Sequence, residues 1–136
     1  MKLNTYLNFA GNCAEAMSFY EKHLGAKVLF SMTFDQMPGP KSNIPAGMEK
    51  GILHARFQLG DGTLMASDGP RVEPMRSAYL TLGVDSNEEA ERIYATLSDG
   101  GEVFIAIGET FFAHRFAQLR DKFGINWMLI HEKPMQ

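Results

Sequence analysis

One cysteine, one tryptophan and six prolines leave few means of cross-linking or interrupting this chain of 136 residues. A single thiol, Cys13, excludes an internal disulfide and fits a reducing compartment, so the expected location is cytoplasmic. There is no Lys/Arg run, and the formal net charge is −3, which argues against a nucleic-acid surface. No apolar stretch approaches the roughly 18 residues of a membrane span. The N-terminus lacks the charged start, long apolar stretch and small-residue cleavage site of a signal peptide. Neither a nucleic acid nor a membrane is therefore expected as a partner. No Gly-x-Gly-x-x-Gly follows a strand, so neither a nicotinamide nor a methyl-donor Rossmann site is suggested. A phosphate-cradling loop and a Gly-x-Ser-x-Gly nucleophile elbow are missing as well.

What is present is a hydrophobic share of 45%, enough for a real core, and nine methionines, which suit irregular cores and permissive pockets. The chain also repeats itself. Glu15-Ala16-Met17-Ser18-Phe19-Tyr20 and Glu89-Ala90-Glu91-Arg92-Ile93-Tyr94 share Glu-Ala-x-x-x-Tyr. Each is preceded by a short alternating apolar run and followed by glycine and another apolar run. In the first half, Leu3, Leu7 and Phe9 share one face of a strand, with Asn4, Tyr6 and Asn8 on the other. Asn12 is placed to cap a helix that Gly25 ends. Strands are predicted over 27–34, 51–60 and 63–67, with Asp61-Gly62 as the hairpin turn. Residues 37–50, rich in Pro and Gly, form a long loop that is either a lid or a plain connection. The second half predicts a strand over 79–84, a helix over 87–98, and strands over 103–107, 115–119 and 125–131. Each half is thus β-α-β-β-β: repeat 1 over 1–68, a connector over 69–77, and repeat 2 over 78–136, all within one domain. The expected class is α+β, with curved mixed sheets around a cleft.

The tandem β-α-β-β-β plan resembles the vicinal oxygen chelate superfamily, which includes glyoxalase I, extradiol dioxygenases, and fosfomycin and bleomycin resistance proteins. The wording is similar to its PhnB-like branch in three places. These are Tyr6-Leu7-Asn8-Phe9-Ala10-Gly11-Asn12-Cys13-Ala14-Glu15-Ala16 with Phe19-Tyr20 and Leu24-Gly25-Ala26, then Glu109-Thr110-Phe111-Phe112-Ala113-His114, and Asp121-Lys122-Phe123-Gly124-Ile125-Asn126-Trp127-Met128. The resemblance implies a glyoxalase-like fold and a homodimer. It also implies four cavity-facing metal positions, which fall here at Asn4 or Thr5, at Met65 or Ser67, at Tyr79 and at Met128. None is His, Glu or Asp, and thioether is a poor ligand for hard divalent ions. The usual metal site is therefore expected to be lost, and no cofactor is predicted.

Other residues carry the remaining candidates. His54 and Arg56 share a face of the third strand, where Arg56 can hold an anionic group bidentately; the alternatives are a solvated His and a surface Arg. His114, among Phe111, Phe112 and Phe116, is the candidate for general acid–base work, against a loop His packed on aromatics. Tyr6, His54, Arg56, Tyr79 and Met128 are the expected ligand-binding residues. Cys13 at a helix N-terminus is either a nucleophile or a small buried residue. Tyr79, Trp127, Phe111 and Phe112 offer rings for a planar ligand, with core packing the alternative for Trp127. His23 and His131 read as structural or solvated. Three functions stay open. The first is a small-molecule-binding protein without the usual metal. The second is a divalent-metal enzyme of glyoxalase or dioxygenase type with non-standard ligands. The third is a drug- or toxin-sequestering protein of bleomycin-resistance type.

Overall fold

The computed structural model describes residues 1–134. The chain forms two compact units, Met1–Val72 and Glu73–Gln136. The first runs β1 (Thr5–Phe9), α1 (Cys13–Leu24), β2 (Lys27–Thr33), β3 (Ile52–Leu59) and β4 (Gly62–Asp68). The second runs β5 (Leu80–Gly83), α2 (Asn87–Ser98), β6 (Glu102–Gly108), β7 (Ala113–Arg120) and β8 (Asn126–Glu132). The sheets have the same order, β1-β4-β3-β2 and β5-β8-β7-β6. In each, the first strand lies parallel to the last, and the other neighbours are antiparallel. These are the two β-α-β-β-β modules of an α+β fold.

In the first unit α1 packs on β2, β3 and β4. Its Ala16, Met17 and Tyr20 are buried, as are Leu7, Phe9, Ala55, Phe57, Leu64 and Ala66 of the sheet. The Tyr20 ring stacks on Phe57 with centroids 6.4 Å apart. Gly25 ends α1 at φ 73, and its amide donates to the Tyr20 carbonyl. In the second unit α2 covers β6, β7 and β8, burying Ala90, Ile93 and Leu97 with Ala117, Leu119, Trp127 and Leu129. Neither sheet closes on itself. Each helix packs on one face of its own sheet.

Three local expectations shift. Asn12 does not cap α1 with its side chain, and its Oδ1 is buried without a partner. The buried Asp68 carboxylate takes that role, with Oδ1 accepting from the Gly11 and Cys13 amides at 2.9 Å each and Oδ2 from the Ile52 amide at 2.8 Å. The β3–β4 hairpin turns on Gly60-Asp61, because Leu59 pairs with Gly62. Gly60, at φ 58, takes the positive-φ position where type II′ turns put glycine. Residues 34–51 are neither purely loop nor free. They hold two short 3₁₀ turns, Phe34–Gln36 and Lys41–Asn43. Amides of Phe34 and Asp35 donate to the carbonyls of Gly51 and Glu49, and Lys50 pairs with Asp35 at 3.0 Å.

Candidate functional site

Because Leu7, Phe9, Ala55 and Phe57 face α1, strand alternation sends Tyr6, Asn8, His54 and Arg56 to the uncovered face of the first sheet. Register then sets them side by side. Tyr6 lies beside Met65, Met65 beside Arg56, and Arg56 beside Phe30; one step along, Asn8 lies beside Ser67, and Met32 beside His54. His54 is the centre of this face. The Tyr6 hydroxyl is 3.3 Å from its Nδ1, and the two ring centroids are 5.8 Å apart. The Phe30 ring lies 6.2 Å from it on the other side. Arg56 is exposed, and its one polar neighbour among the described residues is the Met65 sulfur, at 3.9 Å from Nη2. Among the described residues no carboxylate pairs with this guanidinium. Ser67 donates to Asn8 Oδ1 at 3.3 Å.

Tyr6, His54 and Arg56 therefore come together within one unit, while Tyr79, His114 and Met128 belong to the other. Met128 lies between Thr81 and Gln118. Tyr79 sets its ring edge-on to Phe104, 6.4 Å between centroids, and Arg120 stands 5.2 Å over the same Phe104 ring. His114 meets His131, ring centroids 4.8 Å apart, and lines an open hollow of about 790 Å³ with Phe111, Phe112, Ile130, Glu132, Lys133 and Pro134. Phe111 is 92% exposed and stands edge-on to Phe112. Trp127 is fully buried and donates from Nε1 to Asp121 at 2.8 Å, so its ring is core.

Phe30 had no assigned role because Val28-Leu29-Phe30 breaks strand alternation; that unbroken apolar triplet is the sequence trace of the bulge between Val28 and Phe30. Cys13 is fully buried. Burial first, and then the nearby Asp68 carboxylate, pushes its thiol up to about 12, so it is no thiolate nucleophile.

The donor set at the superfamily's four metal positions does not suit a hard divalent ion. Met65 and Met128 bring thioethers, Ser67 a hydroxyl already bonded to Asn8, and Tyr79 a phenol. Asn4 precedes β1 and is exposed. Among the described residues, no three His, Cys, Asp or Glu side chains cluster as ligands. No helix among them is long and apolar enough to cross a membrane.

Comparison with known proteins agrees with this architecture. Residues 1–130 match the sequence profile of a family described as 3-demethylubiquinone-9 3-methyltransferase. The chain is 35% identical to protein YjdN of Escherichia coli K12 over the full length of both. Protein PA1353 of Pseudomonas aeruginosa superposes with a TM-score of 0.86 at 38% identity, covering 98% of this chain and 99% of that one. The PhnB protein of Bacillus cereus gives 0.80 at 26% identity, covering 96% and 99%. A glyoxylase/bleomycin resistance protein/dioxygenase domain from Frankia sp. EAN1pec gives 0.65 at 13% identity over 98% of both, a likeness of fold alone.

Proposed function

Because this chain belongs to the family described as 3-demethylubiquinone-9 3-methyltransferase, within the PhnB-like branch of the vicinal oxygen chelate superfamily, we propose that it binds a small planar organic anion on the open face of its first sheet. One observation carries this reading. Arg56 is a guanidinium without a carboxylate partner among the described residues, set on a face that holds the Tyr6, His54 and Phe30 rings. A fork of N–H donors matches a carboxylate, and rings beside it match a planar body. Tyr6 and His54, 3.3 Å apart, form the acid–base pair that turnover of such a ligand would use. Arg56 would orient the anionic group, and His54 would take or return a proton at a neighbouring atom.

Thermal unfolding with benzoate and with uncharged benzamide tests the reading. Benzoate should raise the Tm of the natural protein, benzamide should raise it much less, and Arg56→Ala should abolish the difference. Equal shifts from both compounds, or a benzoate shift that survives in Arg56→Ala, would contradict it. A His54→Ala variant that still binds but loses turnover of a discovered substrate would assign the proton transfer to His54; unchanged turnover would remove His54 from the chemistry.

A homodimer is the assembly we propose. Val103, Phe104 and Ile105 on the edge strand β6 are 41%, 39% and 44% exposed, and Leu29 on the edge strand β2 is 50% exposed. Exposed apolar residues on an unpaired sheet edge are candidates for an interaction site. Sedimentation at micromolar concentration should give twice the 15.2 kDa of one chain.

A further inference from the structure

We propose that His114 and His131 form a two-imidazole site for a late first-row divalent cation, Cu²⁺, Ni²⁺ or Zn²⁺. This site lies in the second unit and is independent of the open face around Arg56. The register brings the two rings together: Arg115 pairs with His131, and a bulge between Ala113 and Arg115 sets His114 against it. The ring centroids are 4.8 Å apart with planes inclined by 46°. A metal about 2.0–2.1 Å from one nitrogen of each ring lies about 3.2 Å from each centroid, so two rings sharing it at about 90–110° stand about 4.5–5.2 Å apart. The observed separation falls in that window.

A second observation concerns the tautomer. His131 Nδ1 lies 2.9 Å from Asn87 Oδ1 at the start of α2. With the amide oxygen accepting, His131 carries its proton on Nδ1 and keeps a lone pair on Nε2. Metal-binding histidines are held in this way, through the ring nitrogen that does not ligate. The nearby cations are already matched: Arg115 pairs with Glu91 at 3.0 Å and Lys133 with Glu109 at 3.0 Å. Imidazole suits Zn, Cu and Ni, which distinguishes this pair from the thioether-bearing positions described above. No third His, Cys, Asp or Glu joins the pair among the described residues, so water completes the shell and affinity is moderate.

The test is titration of untagged protein with Ni²⁺ and with Cu²⁺, followed by calorimetry and by paramagnetic broadening of backbone amide signals. The expected result is one site whose broadening centres on residues 114 and 131. Affinity should fall at least tenfold in His114→Ala and in His131→Ala, and by about tenfold in Asn87→Ala. His54→Ala should bind as the natural protein does, which separates this site from the proposed ligand face. His114→Asn and His131→Asn, checked for natural-like thermal unfolding, serve if an alanine variant fails to fold. Broadening centred on His23, His54 or the N-terminus, or binding unchanged in folded variants at position 114 or 131, would overturn the proposal.

Discussion

Asp68 shows how much one side chain can hold. Its carboxylate is buried and accepts from three backbone amides, joining the start of α1 to the start of β3. Asp121 does the corresponding work in the second unit, accepting from the Phe123 and Ile125 amides and from the Trp127 indole. Asp68→Ala strands three donors, at about 1–3 kcal/mol for each that stays dry. The Cys13 and Ile52 amides are buried and the Gly11 amide is part-buried, so denaturant unfolding should show a loss of about 2–6 kcal/mol; a loss below about 1 kcal/mol would mean that water replaces the carboxylate. Both aspartates were opaque in the sequence, because Asp next to Gly or in a turn also reads as a solvated turn residue. Cys13 adds a pH dependence. Its thiol is raised in the folded protein from 9.0 to about 12, so the neutral form is the one the fold favours. The associated stability is complete below about pH 9 and is lost as pH rises toward 12. The natural protein should lose stability over that range more steeply than Cys13→Ala, and the native thiol should resist iodoacetamide at pH 8 until the chain is unfolded. Rapid native alkylation at that pH would contradict the burial.

The two helices have the same length but different caps. Ser86 accepts from the Glu89 amide at 3.0 Å at the start of α2, whereas the Asn12 side chain makes no cap and Asp68 supplies it from β4. Ser86→Ala should cost about 1 kcal/mol in equilibrium unfolding, and Asn12→Ala should be near neutral. The reverse order would show that the caps are misassigned. The bounds of both helices were legible, because Gly25 ends α1 and apolar spacing marks α2 over 87–98, whereas the Ser86 cap of α2 went unread. Strand existence was legible too, through alternation, but the bulged edge strand β2 was not assigned a face. The hairpin turn moved by one residue because two adjacent glycine-containing dipeptides, Gly60-Asp61 and Asp61-Gly62, compete there and pairing across the strands decides.

Across the whole molecule, the repeated Glu-Ala-x-x-x-Tyr segments announced the duplicated module, and both sheets follow one strand order. Helix-facing residues were legible for the same reason. Assembly of the candidate face was only partly so. That His54 and Arg56 share a face follows from their spacing, but the neighbourhood of Tyr6, Met65 and Arg56 depends on β1 lying parallel to β4, a pairing between distant segments. His131 was passed over because only the β7–β8 register and Asn87 of α2 give it a partner. On the proposed reading, the Arg56 guanidinium, which no carboxylate pairs among the described residues, makes the ring-bearing face of the first sheet an anion site. The most direct measurement is a titration of the isotopically labelled protein with benzoate, followed by amide chemical shifts. Saturable shifts centred on residues 6, 30, 54, 56 and 65, lost in Arg56→Ala, are expected. Shifts centred elsewhere, or unchanged in that variant, would contradict that reading.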